Sequence, residues 1–122
     1  MRTACATAIE LSGQRLTDIR VLLTNASHLT EHNHKFRSKN HPTNVLSFPD
    51  EEEGGDIAVA LDVVSSEADQ QGVTFHQMVA MLITHATLHL ANFHHKHDSD
   101  HQTMLRLERR VLSKMSLEHP FD

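Results

Sequence analysis

The spacing of hydrophobic positions changes several times along this chain, and each change predicts an element. In residues 18–24 (DIRVLLT), Ile19, Val21 and Leu23 recur at every second position, the spacing of a strand with one face inward. Residues 26–36 fit a short helix with Leu29, Asn33 and Phe36 on one side. Thr43–Phe48 (TNVLSF) reads as a second strand, bounded by Pro42 and Pro49, which cannot donate to a ladder. In Asp56–Leu61 (DIAVAL), Ile57, Val59 and Leu61 alternate again and predict a third strand. The acidic stretch Asp50–Gly55 (DEEEGG) between them predicts a flexible connection and an antiparallel pair.

The rest of the pattern is helical. A helix is expected over Asp62–Gln71, stopped by Gly72. Thr74 and Gln77 form the T-x-x-Q signature of a capping box. The residues from Met78 to Ile83 are apolar almost all round, so the helix that follows the box should be central and buried, running to about Leu90. Asp98 or Ser99 can cap a last helix that carries Met104, Leu107, Val111 and Met115 at helical spacing, with Pro120 ending it. This order predicts an α+β fold, a small mixed β-sheet packed by helices around one buried helix. A chain of 122 residues, with no repeat and no linker, fits a single domain spanning residues 1–122.

Composition narrows the class. Hydrophobic residues make up 39% and charged residues 22%, the balance of a globular protein. Cys5 is the only cysteine, so no internal disulfide can form and nothing points to an oxidising compartment. No apolar run reaches membrane-spanning length, and Met1–Glu10 lacks the apolar stretch of a secretory signal, so a cytoplasmic location without a membrane partner is expected. The net charge of −5 argues against a protein that coats nucleic acid, but not against an enzyme that meets RNA through a local basic patch.

The chain carries 12 histidines, scattered from His28 to His119, and their spacing bears on chemistry. His85 and His89 are four residues apart. On a helix that is a turn of about 400°, which leaves the two imidazoles roughly 40° apart on one face. Such a pair can chelate one metal ion. His95 follows after six residues and can complete the set if the helix ends near Leu90–Asn92 and the chain bends back, with Asn92 in the left-handed conformation. His94, His97 and His101 compete for that place. Three imidazoles and an open fourth position form the pattern of a catalytic zinc site, whereas a structural site takes four ligands, usually with cysteine. The plain alternative is a surface cluster in a histidine-rich chain. Position 86 is alanine, where the zinc-protease motif carries its general-base glutamate, so that protease class does not fit.

Longer segments carry a resemblance. His85–His95 reads HATLHLANFHH and resembles the signature H-G-x-L-H-L-x-G-[YF]-D-H of the YbeY family. Phe36–Pro49 (FRSKNHPTNVLSFP) is similar to the family segment [YF]-R-x-x-[DN]-x-P-T-[DN]-V-L-S-F-P. Asn33, Gly55-Asp56-Ile57, Glu67-Ala68, Asp98, Met104 and Glu108 keep family positions, so the likeness spans about residues 17–112. The chain departs from the family pattern at Ala86 and Asn92, each in place of glycine, and at His94, in place of aspartate. Its N-terminus is also shorter than the strand and helix the family places there, so a single domain shortened at that end is expected.

The resemblance implies a single-strand-specific, metal-dependent endoribonuclease. Its ligands would be His85, His89 and His95, holding one zinc ion per chain. Arg37 would be the catalytic, phosphate-binding arginine, where the residue alone reads as an ordinary solvated one; Lys35 and Lys39 flank it and offer a small basic stretch to substrate, and Ser47 either lines the site or is a small packing residue. A three-histidine metal ion would make a bound water more acidic and polarise a phosphoryl oxygen. Whether water or the RNA 2′-hydroxyl attacks is left open. The partners implied are single-stranded ribosomal RNA and the ribosome or its small subunit. The process implied is maturation of the 3′ end of small-subunit ribosomal RNA, with ribosome quality control. Two other classes are weighed: a metal-dependent hydrolase of another ester or amide, and a catalytically weakened ribosome-associated binding protein.

Overall fold

The computed structural model describes residues 2–13, 16, 18–25, 27, 44–95, 101–118 and 120, leaving aside the side chains of Arg2, Phe93, His94, His95 and His101. Among the described residues seven elements follow in order: α1 (Arg2–Ser12), β1 (Ile19–Thr24), β2 (Val45–Pro49), β3 (Gly55–Ala60), α2 (Leu61–Gln71), α3 (Phe75–His95) and α4 (His101–Lys114). The architecture is α+β, and the described residues form a mixed sheet of three strands in the order β1-β3-β2. β2 and β3 pair antiparallel, as the two short alternating runs predict, and β1 runs parallel to β3 on its other side.

The connection between β2 and β3 is organised by its first residue. Asp50 Oδ1 accepts hydrogen bonds from the backbone N–H groups of Glu52 (2.9 Å) and Gly54 (3.0 Å), a local side-chain-to-backbone closure. Gly54 and Gly55 then have no room for a side chain. A Cβ on Gly54 would lie 2.2 Å from the Asp18 carbonyl oxygen, and one on Gly55 would lie 2.6 Å from the Phe48 carbonyl oxygen and 3.0 Å from Leu90 Cδ2. The start of β3 is therefore clamped between its two neighbouring strands and against α3. Across the sheet, Arg20 Nε donates to Asp56 Oδ1 at 2.7 Å, and the two residues are register partners. The hydrogen bond and charge of Asp56 raise the arginine pKa above its ordinary value, but both side chains are exposed and the pair adds little stability.

β1 departs from the alternation read in the sequence. Ile19 and Val21 turn inward, but Leu23 is exposed, as is Leu22. Val21 pairs with Ile57 and Leu23 with Val59 at the edge of the sheet, and period two alone does not say how far packing extends along an edge strand.

The helices carry their expected punctuation. The Thr74 N–H donates to Gln77 Oε1 and the Gln77 N–H to Thr74 Oγ1, both at 3.0 Å, which is the reciprocal capping box. Gly72, at φ 69°, ends α2, with Val73 N–H reaching the Ala68 carbonyl and Gly72 N–H the Asp69 carbonyl. α4 ends in the same way, at Ser116 rather than Pro120. Ser116 adopts φ 60°, its N–H donates to the Ser113 carbonyl, and Leu117 N–H donates to the Leu112 carbonyl. Leu117 packs on the cluster that holds buried Leu112, the apolar contact that accompanies this motif. The expected caps Asp98 and Ser99, and the expected helix over residues 26–36 apart from Ser27, lie outside the described residues.

α1 was not read from the pattern. Its inward positions, Ala4 and Ala8, are fully buried, four residues apart, and small enough to let the helix settle on α3 and α4. α3 is the centre of the molecule and packs against α1, α2, α4, β2 and β3. Met78, Ile83, Leu88 and Leu90 on it are almost fully buried. Thr84 and Thr87 are also buried on α3, and their hydroxyls donate to the carbonyls of Ala80 and Ile83 at 2.7 Å, so neither polar group is stranded. No described helix is long and apolar enough to cross a membrane.

Candidate metal centre

Between Met78 and Ala91, every residue of α3 is buried except His85 and His89. His85 is partly buried and His89 exposed, so between Met78 and Ala91 the helix meets solvent only where its two spaced imidazoles stand. The i, i+4 geometry brings them together: their Nε2 atoms lie 2.9 Å apart, and the rings cross edge-on with centroids 4.4 Å apart. Two neutral nitrogens cannot face each other at that distance as lone pairs alone. Either one carries a hydrogen or a cation lies between them. Ligands about 2.0–2.1 Å from a tetrahedral zinc would stand roughly 3.3 Å apart, so a change of a few tenths of an ångström would suit this pair to a shared ion.

The other nitrogen of His85 is engaged from a different element. His85 Nδ1 lies 2.5 Å from Glu108 Oε2 on α4. The Glu108 side chain is only 6% exposed. A carboxylate taken out of water at that depth needs a hydrogen-bonding partner, and His85 provides one. Glu108 lies in line with Met104 and Val111 on α4, which are both buried. A carboxylate that interrupts an apolar stripe at i+4 and i−3 was the available signal for it, and spacing among histidines alone passes it by.

The end of α3 corrects one expectation. The helix does not stop at Leu90–Asn92 but continues to His95. Asn92 is not left-handed, since Ser116 is the one described non-glycine residue with positive φ. Asparagine pays more than glycine to leave the helical region. Its amide Nδ2 also lies 3.3 Å from Met104 Sδ, which ties this turn to α4, and Leu90 and Ala91 are buried just before it. On a continuous helix, position 95 lies about 9 Å beyond position 89 along the axis and about 120° round from it.

The remaining candidates are placed only in part. Ser47 is half-buried in the middle of β2, opposite Ile57, on a strand that packs against α3. Lys35, Arg37, Lys39 and His97 lie outside the described residues, as do the side chains of His94, His95 and His101. Among the described residues, no group of three His, Cys, Asp or Glu side chains is arranged to hold a metal ion. The pair His85–His89 is thus the part of the expected ligand set that the structure brings together.

Comparison with known proteins bears on this geometry. A family model described as Endoribonuclease YbeY matches residues 2–116. A protein of Bartonella bacilliformis named Endoribonuclease YbeY is 34% identical over 126 residues, covering 95% of this chain and 80% of its own length. One of the same name from Coxiella burnetii is 41% identical over 100 residues, covering 76% of this chain and 66% of its own length. The solution structure of TM1509 from Thermotoga maritima shares the fold with a TM-score of 0.60 at 24% identity, over 94% of this chain and 83% of that one. With the match running through every described element, the chain belongs to the endoribonuclease YbeY family.

Proposed function

We propose that this chain is a metal-dependent endoribonuclease that cuts single-stranded ribosomal RNA, with one zinc ion held by His85, His89 and His95. The observation that carries the reading is the meeting of two imidazole Nε2 atoms at 2.9 Å, on the sole solvent-facing positions of a buried stretch of helix. The donor set fits the group: neutral imidazoles are borderline ligands suited to zinc, and a three-histidine set leaves a coordination position open for chemistry. When bound, such an ion supplies Lewis acidity toward a phosphoryl oxygen and makes water more acidic.

The protein's own side chains divide the remaining work. His85 and His89 are held by a helix locked into the core, so they need move only a few tenths of an ångström to bind together. His95 serves as third ligand if the last turn of α3 opens to carry it back. Arg37 suits bidentate binding of the phosphate and stabilises charge that builds on it, and Lys35 and Lys39 add local positive charge to a chain of net charge −5. Ser47, on the strand packed beside α3, lines the substrate path. The reading extends to the cytoplasm, to the small ribosomal subunit as partner, and to 3′-end maturation of its RNA with ribosome quality control.

The experiment pairs metal content with cleavage. Purified protein should hold about one divalent ion per chain and cut a single-stranded RNA, and His89→Ala should lose both. Metal without RNA cleavage would instead mark a hydrolase of another ester or amide. Ribosome association with neither property would mark a binding protein that keeps the fold.

A further inference from the structure

Glu108 is the least expected member of the site. It is a carboxylate buried in the apolar stripe of α4, and it reaches across to the inner nitrogen of His85 on α3. A carboxylate can only accept hydrogen bonds, so in a neutral His85 ring the hydrogen must sit on Nδ1. Nε2 then keeps its lone pair, and Nε2 is the atom that faces His89. A solvated neutral histidine carries no such instruction.

We propose that Glu108 is the positioning residue of this centre, fixing both the tautomer and the ring orientation of His85 so that its Nε2 is ready to ligate. This rests on the metal reading above. The geometry has the form in which a ligating imidazole hands its other N–H to a carboxylate, which orients the ring and raises its basicity. Burial strengthens the effect. At 6% exposure the Glu108 side chain has little water to turn to, and the contact is short. Met104, one turn before Glu108, receives the Asn92 contact, so α4 braces α3 on both sides of His89.

The variant that isolates this role is Glu108→Gln. Glutamine is nearly isosteric and cheaper to bury than a carboxylate, so the fold should persist, as checked by circular dichroism and thermal unfolding. Its amide can donate as readily as accept, so it no longer dictates which ring nitrogen carries the hydrogen. The first readout needs no metal. Long-range ¹H–¹⁵N correlation spectra of metal-free protein, at a pH where the rings are neutral, should show His85 protonated on Nδ1 in the wild type. In Glu108→Gln the same ring should be a mixture or the Nε2–H form. The second readout is zinc affinity by chelator competition, which should fall about 10–100-fold in the variant. A wild-type His85 found in the Nε2–H form would overturn the proposal, as would an unchanged tautomer and unchanged affinity in Glu108→Gln. If wild-type protein bound no divalent ion, the metal reading would fail, and the tautomer comparison would still decide what Glu108 does to His85.

Discussion

Substitutions at His89 and Arg37 separate chemistry from folding. His89 is exposed at the end of a buried stretch, so His89→Ala should change stability by no more than about 0.5 kcal/mol while metal content falls to background. Unfolding by urea beside elemental analysis checks both halves. Arg37→Ala tests a different role. If the guanidinium binds phosphate and does no work in the fold, the variant should keep its metal and lose about 10²–10³-fold in cleavage of single-stranded RNA. Arg37→Lys should recover only part of that loss, because a point charge cannot reproduce the planar fork. An unfolded Arg37→Ala would make the residue structural, and a fully active one would end the phosphate role. At this scale the sequence was informative where periodicity carries geometry. The interval from His85 to His89 fixes a shared face, and the two Nε2 atoms do meet. It was silent where chemistry depends on contact between distant elements, as between Glu108 and His85, 23 positions apart.

The same division holds among the elements. The Thr74–Gln77 box and Gly72 were legible because a cap is written in adjacent residues. α1 was not, since its buried positions are the small Ala4 and Ala8, which a search for large apolar residues passes over. The stop expected near Leu90–Asn92 is not made: α3 continues to His95, and Asn92 meets Met104 on α4, a contact that local pattern does not reveal. Its position matters to the proposed metal centre, for a helix continued to His95 carries that residue away from the His85–His89 pair. Amide exchange across residues 93–95 should therefore quicken when zinc is added, as the last turn opens. Metal binding with those amides equally protected would remove His95 as the third ligand and return the choice to the other histidines. Nearby, Gly54→Ala places a Cβ 2.2 Å from a backbone oxygen of Asp18, which cannot swing aside as a side chain can. It should destabilise by about 1–3 kcal/mol, seen as a lower denaturant midpoint.

Across the whole molecule, α3 serves as both core and scaffold. Leu88, one residue before His89, is 1% exposed and packs with Ala8, Met104 and Val111, joining α1, α3 and α4. Leu88→Ala should cost about 2–5 kcal/mol by equilibrium unfolding and weaken metal binding along with it, since the same packing holds Glu108 against His85. The fold class and the β2–β3 pair were legible from alternation and the short connection between them. The parallel pairing of β1 with β3 was not, because it joins residues more than thirty positions apart and depends on the sheet that forms around it. These layers converge on the claim that a histidine pair on a buried helix holds a metal that cuts RNA. The most direct test strips the protein with a chelator, then adds back one equivalent of zinc while cleavage of a single-stranded RNA is followed in wild type and in the His85→Ala, His89→Ala double variant. Activity should vanish on stripping, return with about one ion per chain in the wild type, and stay absent in the double variant. Cleavage that survives stripping, or that zinc restores equally to the double variant, would contradict the account.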